Sequence, residues 1–453
     1  MQNKWGKIHT TALLHFFDRL NQEHIDWLVV RNYEGLPDNN PSKDVDLAIA
    51  KQQWKQADIA VKEIFQEFGF SHYVLHKFQF IQCYLFINVE DGISLKLDFF
   101  DCNEYIGLQT HSFDLLNSRK ELYNSLYVAN PLHIAVTTWL RPLLGGAYVK
   151  EKYISDILAC YTTNKTDFRN ELVRLFGVEL TDKILLCFEQ NELKQTLRYR
   201  KEIIKDLFVR SLKDNPAKTI YHVIKHYMIS FQTKFKLVNP DFIAVEGADG
   251  TGKSTFIDGL QKAIAYYYVS DETKCHIYHH RPSILPNLGA LGEKAGVKEQ
   301  DTDFTNPHRG KPKGFISSLL RMIYYWVDYL IGVPFFMRKD VQFDKFTIYD
   351  RYVYDFLVDP YRASIKLPYW IRKIFTKLVI QPRIVFVLLT DAETIYKRKQ
   401  ELTIDEINRQ LGEFLKLAKS NKRFVVIDAA LSPDEMVDKA MKVIIEKFTY
   451  RII

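Results

Sequence analysis

The five cysteines of this 453-residue chain (Cys83, Cys102, Cys160, Cys187 and Cys275) fall at no C-x-x-C spacing. That argues against a disulfide framework and against cysteine-ligated zinc, and it fits a reducing, cytoplasmic setting. The N-terminus, Met1-Gln-Asn-Lys-Trp-Gly-Lys7, has no apolar core of the kind a signal peptide needs. Internal repeats and low-complexity tracts are missing. So is any basic block interleaved with aromatics: 62 Lys and Arg stand against 55 Asp and Glu, a net charge of only +7. Such a surface suits anionic ligands or a membrane face and does not demand nucleic acid. A membrane span wants about 20 apolar residues without charges. The longest contender, Phe315 to Met337, carries Arg321 and Asp328 and is broken by Gly332-Val-Pro334. It reads as a long core helix, with peripheral membrane contact left open.

The composition is that of an ordinary globular protein, 47% hydrophobic and 26% charged, with length for two or three domains. The chemistry is concentrated in the second half. An apolar strand, Phe242 to Val245, follows Asp241 and precedes Glu246. It runs into Gly247-Ala248-Asp249-Gly250-Thr251-Gly252-Lys253-Ser254-Thr255, and an amphipathic pattern starts at Phe256. A G-x-x-x-x-G-K-S loop between strand and helix turns its backbone N–H groups and a helix N-terminus toward phosphate oxygens. Lys253 then reaches the β- and γ-phosphates, and the Ser254 hydroxyl suits Mg2+.

Two further segments accompany the loop. Lys345-Phe-Thr-Ile-Tyr-Asp350-Arg351-Tyr352 is a short strand ending in Asp-Arg-Tyr. Arg383 to Leu389 is a continuous apolar run typical of a buried parallel strand. Thr390-x-x-Glu393 is expected to open a helix as a capping box. That helix carries Tyr396-Lys-Arg398-Lys399-Gln-Glu-Leu402, and Thr403-x-x-Glu406 begins another. A last strand, Arg423 to Asp428, and a helix opened by Ser432-Pro433-x-Glu435 complete a doubly wound α/β sheet. Together, Glu246-Gly-x-Asp-Gly-x-Gly-Lys-Ser-Thr255, Asp350-Arg-Tyr and the basic Tyr396–Leu402 segment resemble the thymidylate kinase family of P-loop kinases. The resemblance implies ATP and Mg2+ as cofactors and assigns roles. Arg351, with Arg281 of His279-His280-Arg281-Pro282, clamps the acceptor side, and Arg398 closes over the transferring group. Asp249 orients the acceptor, and Asp350 holds the metal through water.

The sequence departs from that family where its members read thymine. Arg-Glu-Pro is replaced by His280-Arg281-Pro282, and Val353-Tyr-Asp355-Phe-Leu-Val-Asp359 follows the Asp-Arg-Tyr. Carboxylates accept hydrogen bonds from sugar hydroxyls, so Asp355 and Asp359 point to a carbohydrate acceptor. The alternative is that they cap a helix and pair with Arg362. Ser283 to Lys313 reads as an insertion.

The first ~130 residues form another module. Trp27 to Val30 is a strand leading through Arg31-Asn-Tyr-Glu-Gly35-Leu-Pro37 and a polar loop, Asp38 to Lys43, to Asp44-Val-Asp46. Alternation puts Asp44 and Asp46 on one strand face. Phe78–Val89 and Ile93–Phe100 read as a hairpin across Glu90-Asp91-Gly92, with Asp98 on the face opposite Leu95 and Leu97. Three such carboxylates suit divalent metal. The pattern resembles the nucleotidyltransferase fold of the polymerase-β superfamily, although one glycine stands where that family has a Gly-Gly or Gly-Ser pair. From Pro131 to Asn239 the apolar spacing is helical and carries no chemistry, save that Lys150 and Lys152 face either solvent or a phosphate.

The expected domains are therefore 1–130, nucleotidyltransferase-like and α+β; 131–239, helical; and 240–453, a kinase-like doubly wound α/β unit. The combination resembles a bacterial group associated with surface polysaccharide biosynthesis, which implies a sugar or glycan acceptor. A dTMP kinase, a nucleotidyltransferase and a nucleotide-binding regulator without turnover stand as alternatives.

Overall fold

The two larger sheets of the protein are built from short strands rich in buried apolar residues, such as Trp27–Arg31 and Ile384–Leu389. The computed structural model describes residues 5–40, 44–77, 81–235, 242–268, 274–286, 314–342 and 346–452. It divides into two compact units, Asn3–Phe235 with Tyr450–Ile453, and Lys236–Thr449.

In the first unit the strands are β1 (Trp27–Arg31), β2 (Val45–Ile49), β3 (His72–Lys77), β4 (Ile81–Asn88), β5 (Ile93–Phe100), β6 (Cys102–Tyr105), β7 (Leu108–Ser112), β8 (Glu121–Tyr123) and β9 (Leu126–Val128). The expected hairpin is β4–β5, turning at residues 89–92; residues 78–80 lie outside the described ones. The mixed sheet also takes in the chain's last strand, Tyr450–Arg451, in the order β15-β3-β4-β5-β2-β1-β9-β8, where β15 is that strand. β2 and β5 run parallel with Asp46 opposite Asp98. Helices Lys7–Gln22 and Trp54–Glu67 cover one face, burying Phe16, Phe65, Phe86 and Phe99 in one core. Each such ring contributes roughly 1.5–3 kcal/mol by leaving water. A second core, around Trp139, Phe168, Leu172 and Phe188, holds the helix-rich region from Pro131–Gly146 to Pro216–Phe235. Gly145 and Gly146 end the first of those helices.

The second unit is a parallel sheet of β10 (Phe242–Glu246), β11 (Cys275–His279), β12 (Phe346–Asp350), β13 (Ile384–Leu389) and β14 (Phe424–Asp428), in the order β11-β12-β10-β13-β14. The chain moves from central β10 to one side and returns to the other. The strand order thus reverses at β10, and in such sheets ligands sit beyond the carboxyl ends at the reversal. Helices Lys253–Tyr267 and Pro433–Phe448 flank the sheet. Phe315–Gln342 is one long helix whose Met322, Tyr329 and Val333 pack into the sheet's core. Among the described residues no helix is long and apolar enough to cross a membrane. Residues 287–313 of the expected insertion lie outside the described ones.

One helix start differs from expectation. Asp391, not Thr390, caps Ala392–Arg398, its carboxylate accepting the Thr394 N–H at 2.7 Å. A carboxylate also complements the positive helix N-terminus, which a hydroxyl does less well. Thr403 and Ser432 cap their helices as expected.

Candidate active site

At the end of β10 the backbone needs glycine. Gly250 and Gly252 have φ of +92° and +89°. A Cβ on Gly247 would stand 2.9 Å from the Leu388 carbonyl oxygen, and one on Gly250 3.1 Å from that of Ile395. The loop is therefore packed closely between β13 and the helix Ala392–Arg398. Ala248 is buried, and the Thr251 hydroxyl donates to its carbonyl at 2.9 Å. Lys253 folds back into the loop and donates to the carbonyls of Gly247 at 3.0 Å and Ala248 at 2.8 Å. Burial, then the Arg351 charge, push the Lys253 ammonium down to about 7. Ser254 and Thr255 are exposed in the first helical turn.

Beside the loop, β12 ends in register with β10, Asp350 opposite Val245. The chain then turns sharply: Arg351 has φ of +68° and its N–H returns to the Val245 carbonyl at 2.9 Å. Left-handed backbone at a non-glycine residue costs about 1–2 kcal/mol and persists where surrounding contacts impose it. Here they do. Arg351 Nη1 donates to both Asp355 oxygens at 3.1 Å and Nη2 to Asp249 Oδ1 at 2.6 Å. Arg362 Nη2 donates to the other Asp249 oxygen. Burial alone would raise the Asp249 carboxyl; Arg351, Lys253 and Arg362 outweigh it and hold the group well below the usual range. Fully buried Glu246 accepts the Tyr352 N–H at 2.8 Å. Burial and then the Asp355 charge raise its carboxyl well above the usual range, whereas at Asp355 burial is outweighed by the cations around it, Arg351 foremost, which hold the carboxyl below that range.

The other residues singled out from sequence divide. Asp355 is 2% exposed with both oxygens engaged by Arg351, and Asp359 caps the short Pro360–Ala363 turn by accepting the Arg362 N–H. Neither faces open space, so the hydroxyl-binding geometry expected of them is not formed. Arg281 donates to Asp328 at 3.1 Å and stacks over Tyr325. Asp328, fully buried, also accepts the N–H groups of Ser283 and Leu285. Arg281 is thus tied to the long helix. Arg398 is exposed at the end of its helix, and the Lys399 Cβ lies 3.2 Å from where a Gly250 Cβ would be. A basic segment therefore borders the loop, as closing over a triphosphate requires. Residues fit for Mg2+ are present: the Ser254 hydroxyl is exposed, and buried Asp350 Oδ1 has no hydrogen-bond partner among the described residues.

In the other unit the structure gathers Asp44, Asp46 and Asp98, with one oxygen of each within 4.8 Å of the others. Burial, and then the neighbouring aspartates against Lys96, raise Asp98 to about 6. Its Oδ1 has no hydrogen-bond partner among the described residues. Asp46, however, is gripped by Arg31, Nε at 2.5 Å and Nη2 at 3.2 Å, and Lys96 stands 3.9 Å from Asp44. A small cleft beside them is lined by Arg31, Asp46, Thr137, Thr138 and Arg141. Burial first, then Arg31, lower the Arg141 guanidinium. The half-buried Lys150 is lowered in the same way.

Glu246, Arg362 and Arg141 escaped functional assignment from sequence. Glu246 had a signal in its fixed place before the loop. Arg362 was expected beside Asp355 and Asp359, but its reach to Asp249, like the place of Arg141 in the cleft with Asp46, comes only through the folded chain. No family model and no curated protein matches the chain. Among solved structures it is similar to a thymidylate kinase from Ehrlichia chaffeensis at 19% identity and a TM-score of 0.30, over 46% of this chain and 98% of that one.

Proposed function

We propose that the C-terminal unit is an ATP- and Mg2+-dependent P-loop phosphotransferase acting on a small acceptor that carries an anionic group, a nucleoside monophosphate such as dTMP being the first to test. The observation that carries this reading is the ionic knot beside the loop. Two arginines, Arg351 just after β12 and Arg362 in the Pro360–Ala363 turn, converge on Asp249, one residue before Gly250. Guanidinium pairs suit phosphate oxygens bidentately, and an acceptor phosphate would take Arg351 and Arg362 from Asp249. That exchange leaves the carboxylate free to accept a hydrogen bond from the acceptor. Lys253 and the loop amides would hold the triphosphate, positioning being most of what phosphoryl transfer asks of a protein. Bound at Ser254 and Asp350, Mg2+ would neutralise charge on the β- and γ-oxygens. The exposed Arg398 would arrive over the phosphates on closure, excluding water.

A saccharide acceptor of the polysaccharide-forming kind is the weaker reading, since Asp355 and Asp359 are committed inside the fold. Transfer of label from γ-³²P-ATP to dTMP, to sugars and to isolated glycans separates the two. Lys253→Ala should abolish transfer to whichever acceptor works; unchanged turnover would refute the assignment. The carboxylate trio favours a second reading, nucleotidyl transfer at Asp44, Asp46 and Asp98, with Arg141 and Lys150 on the triphosphate. It requires Arg31 to release Asp46. Label moving from an α-labelled NTP in the wild type and not in Asp44→Asn would support it; none moving at all would leave the module a binding domain.

A further inference from the structure

A third cluster lies apart from both sites and joins three elements of the first unit. His111 is on β7, His133 in the first turns of Pro131–Gly146, and Glu171 within the helix Lys165–Phe176. Their exposures are 0%, 1% and 4%, and one potential ligand atom from each lies within 4.8 Å of the others. The two rings meet edge to face with centroids 5.1 Å apart.

Hydrogen bonding does not account for this arrangement. Neither ring nitrogen of His133 has a partner among the described residues. His111 Nε2 stands 3.0 Å from Glu171 Oε1 without the alignment of a hydrogen bond, while its Nδ1 is 3.2 Å from the Thr110 hydroxyl. The tautomer sets the direction of the Nδ1–Thr110 bond; where Nδ1–H donates, the Nε2 lone pair faces the Glu171 carboxylate, and a cation between the two would turn repulsion into ligation. Each orphaned buried polar group costs about 1–3 kcal/mol. Neutral imidazoles beside an ionised carboxylate are what a metal ion requires of its ligands.

The surroundings fit as well. Arg174 holds the Glu171 carboxylate through Nε at 3.0 and 3.1 Å and also donates to the Thr110 carbonyl at 2.9 Å. Ligating carboxylates and imidazoles are commonly oriented by such outer contacts. The Arg174 charge opposes a cation, but its side chain is 42% exposed and screened by solvent.

We propose that His111, His133 and Glu171 bind a divalent first-row transition ion, Zn2+ foremost, tying the β6–β7 ribbon to two helices of the middle region. Two nitrogens and one carboxylate oxygen are a zinc-type donor set. Bonds of about 2.0–2.2 Å would draw the ligand atoms to about 3.4 Å apart, so the cluster closes slightly on loading.

The test uses the full chain stripped with chelator and titrated with Co2+ and Zn2+. One equivalent of Co2+ should give the intense visible bands of a tetrahedral, nitrogen-ligated ion. Zn2+ should displace it stoichiometrically and raise the melting temperature. His133→Gln should lose both signals. Thr110→Val, which keeps the side-chain shape and the ligands, should bind Zn2+ about 10–100-fold more weakly, so the proposal stays testable if the histidine variant does not fold. Absence of a stoichiometric ion, weak bands typical of the all-oxygen carboxylate trio, or undiminished affinity in Thr110→Val would overturn it.

Discussion

At the scale of single residues, charges that cannot reach water decide the behaviour of the loop. Lys253 sits near 7, lowered by burial and then by Arg351, against about 10.4 for a free lysine. A bound triphosphate restores its charge, so ATP binding at about pH 8 takes up a proton and weakens as pH rises further. Calorimetry in two buffers of different ionisation enthalpy measures this; an apparent enthalpy independent of buffer would count against it. For the ligand-free chain the sign is also defined. Between the folded and unfolded values the unfolded chain holds more protons, so the lysine's contribution to stability rises with pH across that window. Asp355 and Asp359 give a second contrast. Asp355→Asn leaves Arg351 partly unpaired in the interior and should cost about 3–5 kcal/mol. Asp359→Asn weakens the cap of the Pro360–Ala363 turn, a loss below about 2 kcal/mol. Urea unfolding ranks them, and the reverse order would contradict the burial argument.

At the scale of elements, strand ends do the positioning. β10 and β12 end level with each other, so one loop and one left-handed turn bring Lys253, Asp249 and Arg351 together. The loop's tolerance is set by its neighbours. Gly250→Ala places a Cβ 3.1 Å from the Ile395 carbonyl at φ +92°, and should lower ATP affinity. Gly412→Ala, in the helix Ile404–Ser420 with nothing within 4 Å, should instead stabilise by up to about 1 kcal/mol. Nucleotide titration and thermal melts of the pair check this; equal effects would mean the loop is looser than its contacts imply.

At the scale of the whole molecule, the chain's end belongs to its beginning. Tyr450 and Arg451 pair with Tyr73 and His72 of β3, and Ile452 enters the N-terminal core. Deleting residues 450–453 exposes the edge of β3 and should lower the melting temperature of the first unit, while the phosphate transfer proposed for the second should persist. Calorimetry of the full chain should resolve separate transitions, with ATP raising only that of the second unit. A single transition moved as a whole by ATP would show the two units unfolding together. Whether the helices of 131–239 melt apart from the N-terminal sheet, as the three-domain division expects, is read from the same trace.

Local pattern alone made much of this protein legible. The G-x-x-x-x-G-K-S loop, the strand ending in Asp-Arg-Tyr and the helices capped by Thr403 and Ser432 needed only short-range chemistry, which is encoded within a few neighbouring residues. Alternation likewise put Asp44, Asp46 and Asp98 on faces that the parallel register of β2 and β5 then joined. What tertiary structure decided was which charges meet. Asp355 could accept a sugar hydroxyl or an arginine, and only the turn at Arg351 turns it inward. Arg31 and Asp46, or His111, His133 and Glu171, lie on separate elements, and nothing in their local sequence predicts the pairing. Burial strengthens such contacts by removing water, and burial belongs to the assembled fold and not to any one segment.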